Sequence, residues 1–477
     1  MARPQCRGLY VAPRPVLGIY RLRVKRRLDP IFLHFPCRMV SIAQRLILMT
    51  NGIVSKCRSN LIINRFFRIL SVDVLVKASG FIFLPVYLKL MTQEEYGLYG
   101  YLISIIGAFS LFLNFGLYVP QIKLHSDYEG KERGYMLFTI NALLSFSLCL
   151  MLVGVYLSGA DYAIVSFMFS HQINYADYRI LVFLTVATSI FSLMVYSYFM
   201  ASENITLIQL NNLAKLFLIN AVVIYFLYSS HSDAVLIRLK YTLETQLALL
   251  MFFSIFLIKE MRPKFQLDIA YRSLRIGLPI MFSAMFAMLY GLTDRFILEK
   301  YTGFETLAIY NLGLTIASAI TVLTVSFQAV YAPIFFKQKD AAVNFENVKE
   351  ILKVAMPVFI LIGTGLVLVS WVMIHVNIFN KEYYAVIYLL PFLLVAAIIQ
   401  SVTHLYINFM TYFETTYIIL AVNIVSNIGN VILNILLIPK FGIYGAAFAT
   451  VVTTTLAFLL LFFSVKRRVR LAVPMAV

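Results

Sequence analysis

Apolar runs, separated by short polar stretches, recur along the chain from Ile69 to Val465. About 20 such residues in helical form cross a bilayer's hydrocarbon. In lipid every backbone N–H and C=O must pair internally, so a spanning run is a helix or part of a closed barrel. Barrel strands alternate polar and apolar residues over about 10 positions. These runs are apolar at consecutive positions instead. The pattern therefore predicts an all-α polytopic membrane protein with about 12 transmembrane helices, at 69–90, 96–118, 135–158, 179–200, 206–229, 241–259, 273–297, 305–334, 351–376, 384–405, 412–438 and 442–464. The gaps are short, and the longest, near 159–178, has no room for a soluble catalytic domain.

Composition agrees. Hydrophobic residues make up 61% of the chain and charged residues 13%, about half the charged share of a soluble domain. Cys6, Cys37, Cys57 and Cys149 form no CxxC, and the six histidines form no metal-ligand spacing. Neither a metal nor another cofactor is expected.

Charge sets the expected orientation. Residues 1–68 hold 14 Lys/Arg and a single acid, Asp29. Beside a multispan body, such a segment reads as a cytoplasmic anchor rather than a nucleic-acid arm. With the N-terminus inside, sixteen loop and tail cations, including Arg262 and Lys264 and the tail 466–477, fall on the cytoplasmic side. Seven fall outside, among them Lys89, Arg179, Arg238 and Lys240. Both termini are therefore expected in the cytoplasm. The first 48 residues, rich in Arg and Pro, have two readings. They are either an upstream stretch before a true start at Met49, or a basic cytoplasmic tail.

A weak internal repeat divides the chain. Glu95-Tyr96-Gly97-Leu98-Tyr99-Gly100 opens the second span, and Leu307-Ala308-Ile309-Tyr310-Asn311-Leu312 opens the eighth in a similar setting. This predicts two six-helix halves, 69–259 and 273–465, joined by the basic linker 260–272.

Three stretches carry a family resemblance. The first is Phe83-Leu84-Pro85-Val86-Tyr87-Leu88 leading into Met91-Thr92-Gln93-Glu94-Glu95-Tyr96-Gly97-Leu98-Tyr99. The second is Arg275-Ile276-Gly277-Leu278-Pro279, followed by Leu292-Thr293-Asp294-Arg295-Phe296-Ile297-Leu298, Tyr310 and Pro333. The third is Leu433-Asn434-Ile435-Leu436-Leu437-Ile438-Pro439-Lys440-Phe441-Gly442-Ile443-Tyr444-Gly445-Ala446-Ala447. In order and spacing over 69–465 the chain resembles the O-antigen-unit (Wzx-type) polysaccharide flippases of the multidrug/oligosaccharidyl-lipid/polysaccharide flippase superfamily. The resemblance implies a V-shaped body around a central cavity in the bacterial inner membrane. It implies alternating-access export of an undecaprenyl-diphosphate-linked oligosaccharide for O-antigen, capsule or exopolysaccharide assembly, coupled to H+ or Na+. It also implies polymerase and chain-length proteins as partners, and neither catalysis nor nucleic acid.

The polar residues inside the spans supply candidates independently. A charge at bilayer depth costs about 2.5–3.5 kcal/mol, so it faces protein or water. An anionic diphosphate head group needs cations there. Lys77 in span one and Lys215 in span five are the first choices for substrate contact, with Arg295 at the end of span seven. Asn423, Asn427, Asn430 and Asn434 share one face of span eleven. Asn427, Asn430 and Asn434 are either sugar contacts or interhelical glue. Asp73, Glu244 and Asp294 are the ion-coupling candidates, against the blander reading of local ion pairs such as Asp73–Lys77. Pro85, Pro279, Pro333, Pro357 and Pro391 lie in or beside spans and permit kinks.

Three rival functions remain. A drug or metabolite exporter of the same superfamily would want buried acids for a cationic cargo. A polysaccharide polymerase or glycosyltransferase would want a long extramembrane loop or a DxD motif. A membrane scaffold would have no use for buried cations.

Overall fold

The structure, a computed structural model, describes residues 83–171, 173–230, 233–338 and 340–472. Among these residues all regular structure is helical. Helix α1 covers 83–90. Next come α2 (Gln93–Leu113), the short α3 (Tyr118–His125), α4 (Gly130–Ser158), the short α5 (Ala160–Met168) and α6 (Tyr175–Ala201). Helix α7 (Ile205–Ser229) contains a π-helical stretch at Lys215–Ile219, and α8 spans Ala234–Glu260. The segment Leu267–Lys337 breaks at Gly303, where φ is 78°, into α9 (267–302) and α10 (304–337). Helix α11 (Ala341–His375) leads through a 3-10 turn (Lys381–Tyr383) to α12 (Val386–Tyr412). A second break at Gly442, φ 56°, divides Thr416–Ala472 into α13 (416–441) and α14 (443–472). Both breaks need the left-handed backbone that glycine adopts without a Cβ penalty. They turn a helix back across the bilayer in a single residue.

Nine helices among the described residues are long and apolar enough to cross a membrane, before the two broken segments are divided. Large apolar side chains such as Phe146, Leu157 and Phe463 stay exposed on them. A body with so much outward hydrocarbon is a multi-pass membrane protein. The predicted spans two to twelve each have a helix. The first span lies outside the described residues except for α1.

Several boundaries differ from the expectation, each for a local reason. Span six was expected at 241–259, but α8 starts at Ala234, because the Asp233 carboxylate accepts from Val235 N (2.9 Å) and Leu236 N (3.1 Å). Arg238 and Lys240 are therefore helical rather than loop residues. Span seven was expected to stop at 297, yet α9 runs to the Gly303 break, which brings Glu299 into a helix. The 159–178 gap contains α5.

Two ends of the bundle can be told apart by their connections. One, the Gly303 end, carries the turns at 91–92, 303, 376–385 and 442. The other, the linker end, carries 114–129, 202–204 and 261–266. Helices α2 and α10 meet at the Gly303 end. A Cβ on Gly97 would lie 1.9 Å from Phe304 O, and one on Gly100 would lie 2.6 Å from Asn311 Nδ2. Only backbones without side chains approach so closely. Toward the linker end the contact lapses: Gly107 is exposed and meets nothing within 4 Å. The two helices thus touch at one end and part below it. A second close approach joins Gly116, just after α2, to Gly277 of α9.

Candidate substrate and ion-coupling site

Lys215 lies near the middle of α7. It is ten residues from one end of α7 and fourteen from the other, so about 15–20 Å of helix lies on each side. It opens the π-helical stretch, an irregularity that widens a helix locally and recurs at functional sites. Lys215 is partly buried, and among the described residues no carboxylate lies within ion-pair distance. One turn further, Asn220 accepts the Tyr87 hydroxyl at 2.8 Å, which ties α7 to α1.

Asp294 and Arg295 lie in α9, about 12 Å of helix from the Gly303 break. The structure joins them to α10. Tyr310 Oη donates to Asp294 Oδ2 at 2.6 Å, and Arg295 Nε donates to Asn311 Oδ1 at 3.1 Å. Arg295 Nη1 also donates to Gly291 O at 2.5 Å, and 3.8 Å separates it from Asp294 Oδ1. Tyr310 is fully buried. The pair is thus an interhelical network, in which two of the arginine's five donors go to neutral oxygens.

The asparagine face of α13 divides along its length. Asn430 and Asn434 are buried, whereas Asn427 is partly buried and Asn423 is exposed. Asn430 Nδ2 donates to Thr453 Oγ1 of α14 at 3.3 Å, and Asn434 Nδ2 to Asn430 Oδ1 at 3.0 Å. Ser426 Oγ reaches Thr453 O at 2.8 Å. This is an α13–α14 polar seam. Glu244 lies apart from all of these, on an exposed face of α8, 4.0 Å from Lys240. Asp73 and Lys77 lie outside the described residues, as does Met49.

Two groups that the sequence did not single out matter as much. Glu299 is fully buried, and its carboxylate accepts from Ser170 N and His171 N, both at 2.9 Å, with His171 Nδ1 at 3.1 Å. This pins the 169–171 turn before α6 onto α9. Beside it Phe167 stacks on Phe296, with ring centroids 5.3 Å apart. The Gly303 end is therefore held shut by α2 on α10, by Glu299 on the 170–171 backbone, and by Tyr96 edge-on to Tyr383 at 6.3 Å. The second group is Arg238 of α8, whose Cζ lies 3.7 Å from the Tyr87 ring centroid and 3.9 Å from that of Tyr99.

A helical body of this layout defines a multi-pass membrane protein fold. Known structures share it. A multidrug resistance MATE family transporter of the MOP superfamily, in an inward-facing conformation, superimposes with a TM-score of 0.65 at 12% identity, covering 86% of this chain and 96% of that one. The lipid II flippase MurJ in an inward closed conformation gives 0.63 at 16% identity, covering 82% and 87%. The outward-facing MATE conformation gives 0.53 at 14% identity, covering 86% and 94%. No protein of curated function matches the sequence. The family model described as polysaccharide biosynthesis protein matches residues 63–339, more than half of the chain, and the protein belongs to that family.

Proposed function

We propose that the protein is a flippase that carries an undecaprenyl-diphosphate-linked oligosaccharide from the cytoplasmic to the outer leaflet of a bacterial inner membrane, for O-antigen, capsule or exopolysaccharide assembly. Lys215 carries this reading. It is a cation in the middle of a span with no carboxylate partner among the described residues, inside a polysaccharide-biosynthesis family member. A buried cation without a counter-ion is costly unless an anion or water meets it. A drug exporter for cations would reverse that sign.

The two groups of helices before and after the basic linker act as the rocking halves. The linker end faces the cytoplasm, as the lysines and arginines of its loops favour. The state described is closed at the Gly303 end, and although α2 and α10 part toward the linker end, Gly116 still meets Gly277 there, so loading from the cytoplasm would require that contact to open. Lys77 would face the same cleft, and Arg295 and Asn427 would line it on the opposite side, while the buried Asn430 and Asn434 belong to the α13–α14 seam. H+ or Na+ coupling falls to Asp294, whose charge is already linked to two helices, with Asp73 and Glu244 as further acids. Polymerase and chain-length proteins would receive the product.

Lys215→Ala should cut surface polymer about tenfold on gels while membrane abundance on a blot stays unchanged. Lys215→Arg should retain part of the activity, because charge is kept while shape changes. Normal polymer in the alanine variant would remove Lys215 from the site.

A further inference from the structure

Among the described residues two arginines pack on tyrosine rings, and one of them has a carboxylate partner. Arg179 lies 3.9 Å from the Tyr156 ring and 4.7 Å from that of Tyr162. Its Nε and Nη2 donate to Asp161 at 2.6 and 2.9 Å, and Nη2 also to Tyr156 O at 2.6 Å. That is a structural clasp with its donors in use. Arg238 has the same ring company, on Tyr87 and Tyr99, with Tyr96 at 5.9 Å. Its one hydrogen bond among the described residues goes to the Met91 sulfur at 3.3 Å, a weak acceptor. The carboxylates nearby in the chain are engaged elsewhere. Glu95 serves Thr92 N and Ala234 N, and Asp233 serves the α8 N-terminus and the Tyr178 hydroxyl.

A guanidinium carries five N–H donors in its plane. Stacking on rings occupies its faces and leaves the edge, where those donors project, for a planar or tetrahedral oxyanion. The cage is built on its rear side: Tyr87, Met91 and Tyr96 are buried. Tyr99 and Arg238 remain partly exposed, so the approach runs past Tyr99. Tyr96 also touches Tyr383 and Thr315, residues of the opposite helix group. The cage therefore lies at the Gly303-end roof of the region where α2 and α10 part.

We propose that Arg238, gripped by Tyr87 and Tyr99, is an anion-binding site for phosphate oxygens, distinct from Lys215 and nearer the Gly303 end. In the flippase reading, on which only the origin of the phosphate rests, it takes over the diphosphate as the head group moves from mid-bilayer toward release. Two cations spaced along the path then keep the anion paired throughout.

The test is calorimetric binding of inorganic pyrophosphate to the purified full-length protein in detergent. Wild type should bind saturably. Arg238→Gln should weaken binding at least tenfold. Arg272→Gln, which breaks the exposed contacts with Asp127 and Tyr128, should leave it unchanged. Arg238→Lys covers the case of a misfolded glutamine variant: it keeps the charge, loses the flat edge, and should bind with intermediate affinity. Undecaprenyl diphosphate competing more tightly than pyrophosphate would identify a lipid-borne phosphate. Equal competition would identify a free one. A folded Arg238→Gln protein that binds as wild type does, or a wild type without saturable binding, would overturn the site. Saturable binding lost in Arg238→Gln, alongside a wild type that moves no lipid-linked oligosaccharide, would keep the site and reject the flippase reading.

Discussion

Tyr99 and Tyr310 occupy like places on two helices that touch, each five residues after a glutamate (Glu94 and Glu305), and the fold gives them opposite company. Tyr99 lays its ring against the guanidinium of Arg238. Tyr310 gives its hydroxyl to the carboxylate of Asp294. The first neighbourhood is a cation with spare donors, partly open. The second is an acid, an arginine, a tyrosine and an asparagine that mostly satisfy one another in the packed interior. In the proposed reading, an anionic cargo would be served by the first arrangement. The second is suited to gaining or losing one small cation, because a change at Asp294 is felt at once by α10. Similar openings of two helices thus carry two different polar neighbourhoods, which the proposed reading would assign to substrate and to coupling.

The frame that carries both tyrosines should be the most sensitive element. Gly97→Ala forces a Cβ against a backbone carbonyl that no side-chain rotation can clear. We expect a loss of about 3 kcal/mol, the upper end for overpacking, read as a sharp fall in melting temperature in detergent and in membrane abundance. Gly107→Ala, on the same helix with open space around it, should be neutral or stabilising by about 0.5–1 kcal/mol. Equal damage from the two would mean that α2 and α10 do not approach as described.

The tyrosines themselves should differ next. Tyr310→Phe strands a carboxylate oxygen, and a hydrogen bond to a charged group contributes about 1.5–3 kcal/mol. Tyr99→Phe removes a hydroxyl that makes no described hydrogen bond and should stay within about 0.5 kcal/mol. Paired thermal melts of the two variants would show whether the contrast is real.

A smaller effect tests the closed end. Glu299→Gln keeps the shape but gives up the charge that faces two backbone N–H groups. About 1 kcal/mol lost from the closed state corresponds to roughly fivefold more opening. A cysteine at Ala308, buried in the α2–α10 contact, should then react about fivefold faster with a hydrophilic thiol reagent, in a background without native cysteines. An unchanged rate would place the closure elsewhere.

The sequence revealed the helices well because hydropathy at consecutive positions is a local signal. The kinship of the α2 and α10 openings was likewise legible as a weak repeat. It misplaced Arg238 because the charges at Arg238, Lys240 and Glu244 dilute an apolar run, while the Asp233 cap and the tyrosine rings extend the helix through them. Glu299 looked like a residue beyond a span, since its partners Ser170 and His171 lie more than a hundred positions away. The asparagine face was legible as a stripe on α13. Its partner Thr453 was not, because interhelical register is not written in either helix alone.

The transport claim is tested most directly by reconstituting the purified protein in vesicles with a fluorescent undecaprenyl-diphosphate oligosaccharide in the leaflet at the linker end, and following its appearance in the other leaflet with an impermeant quencher. The account predicts transfer by wild type, at least tenfold slower transfer by Lys215→Ala, and little transfer of an undecaprenyl-linked oligosaccharide lacking both phosphates. Equal movement of the charged and uncharged lipids, or no movement of either while a cationic drug is exported, would contradict it.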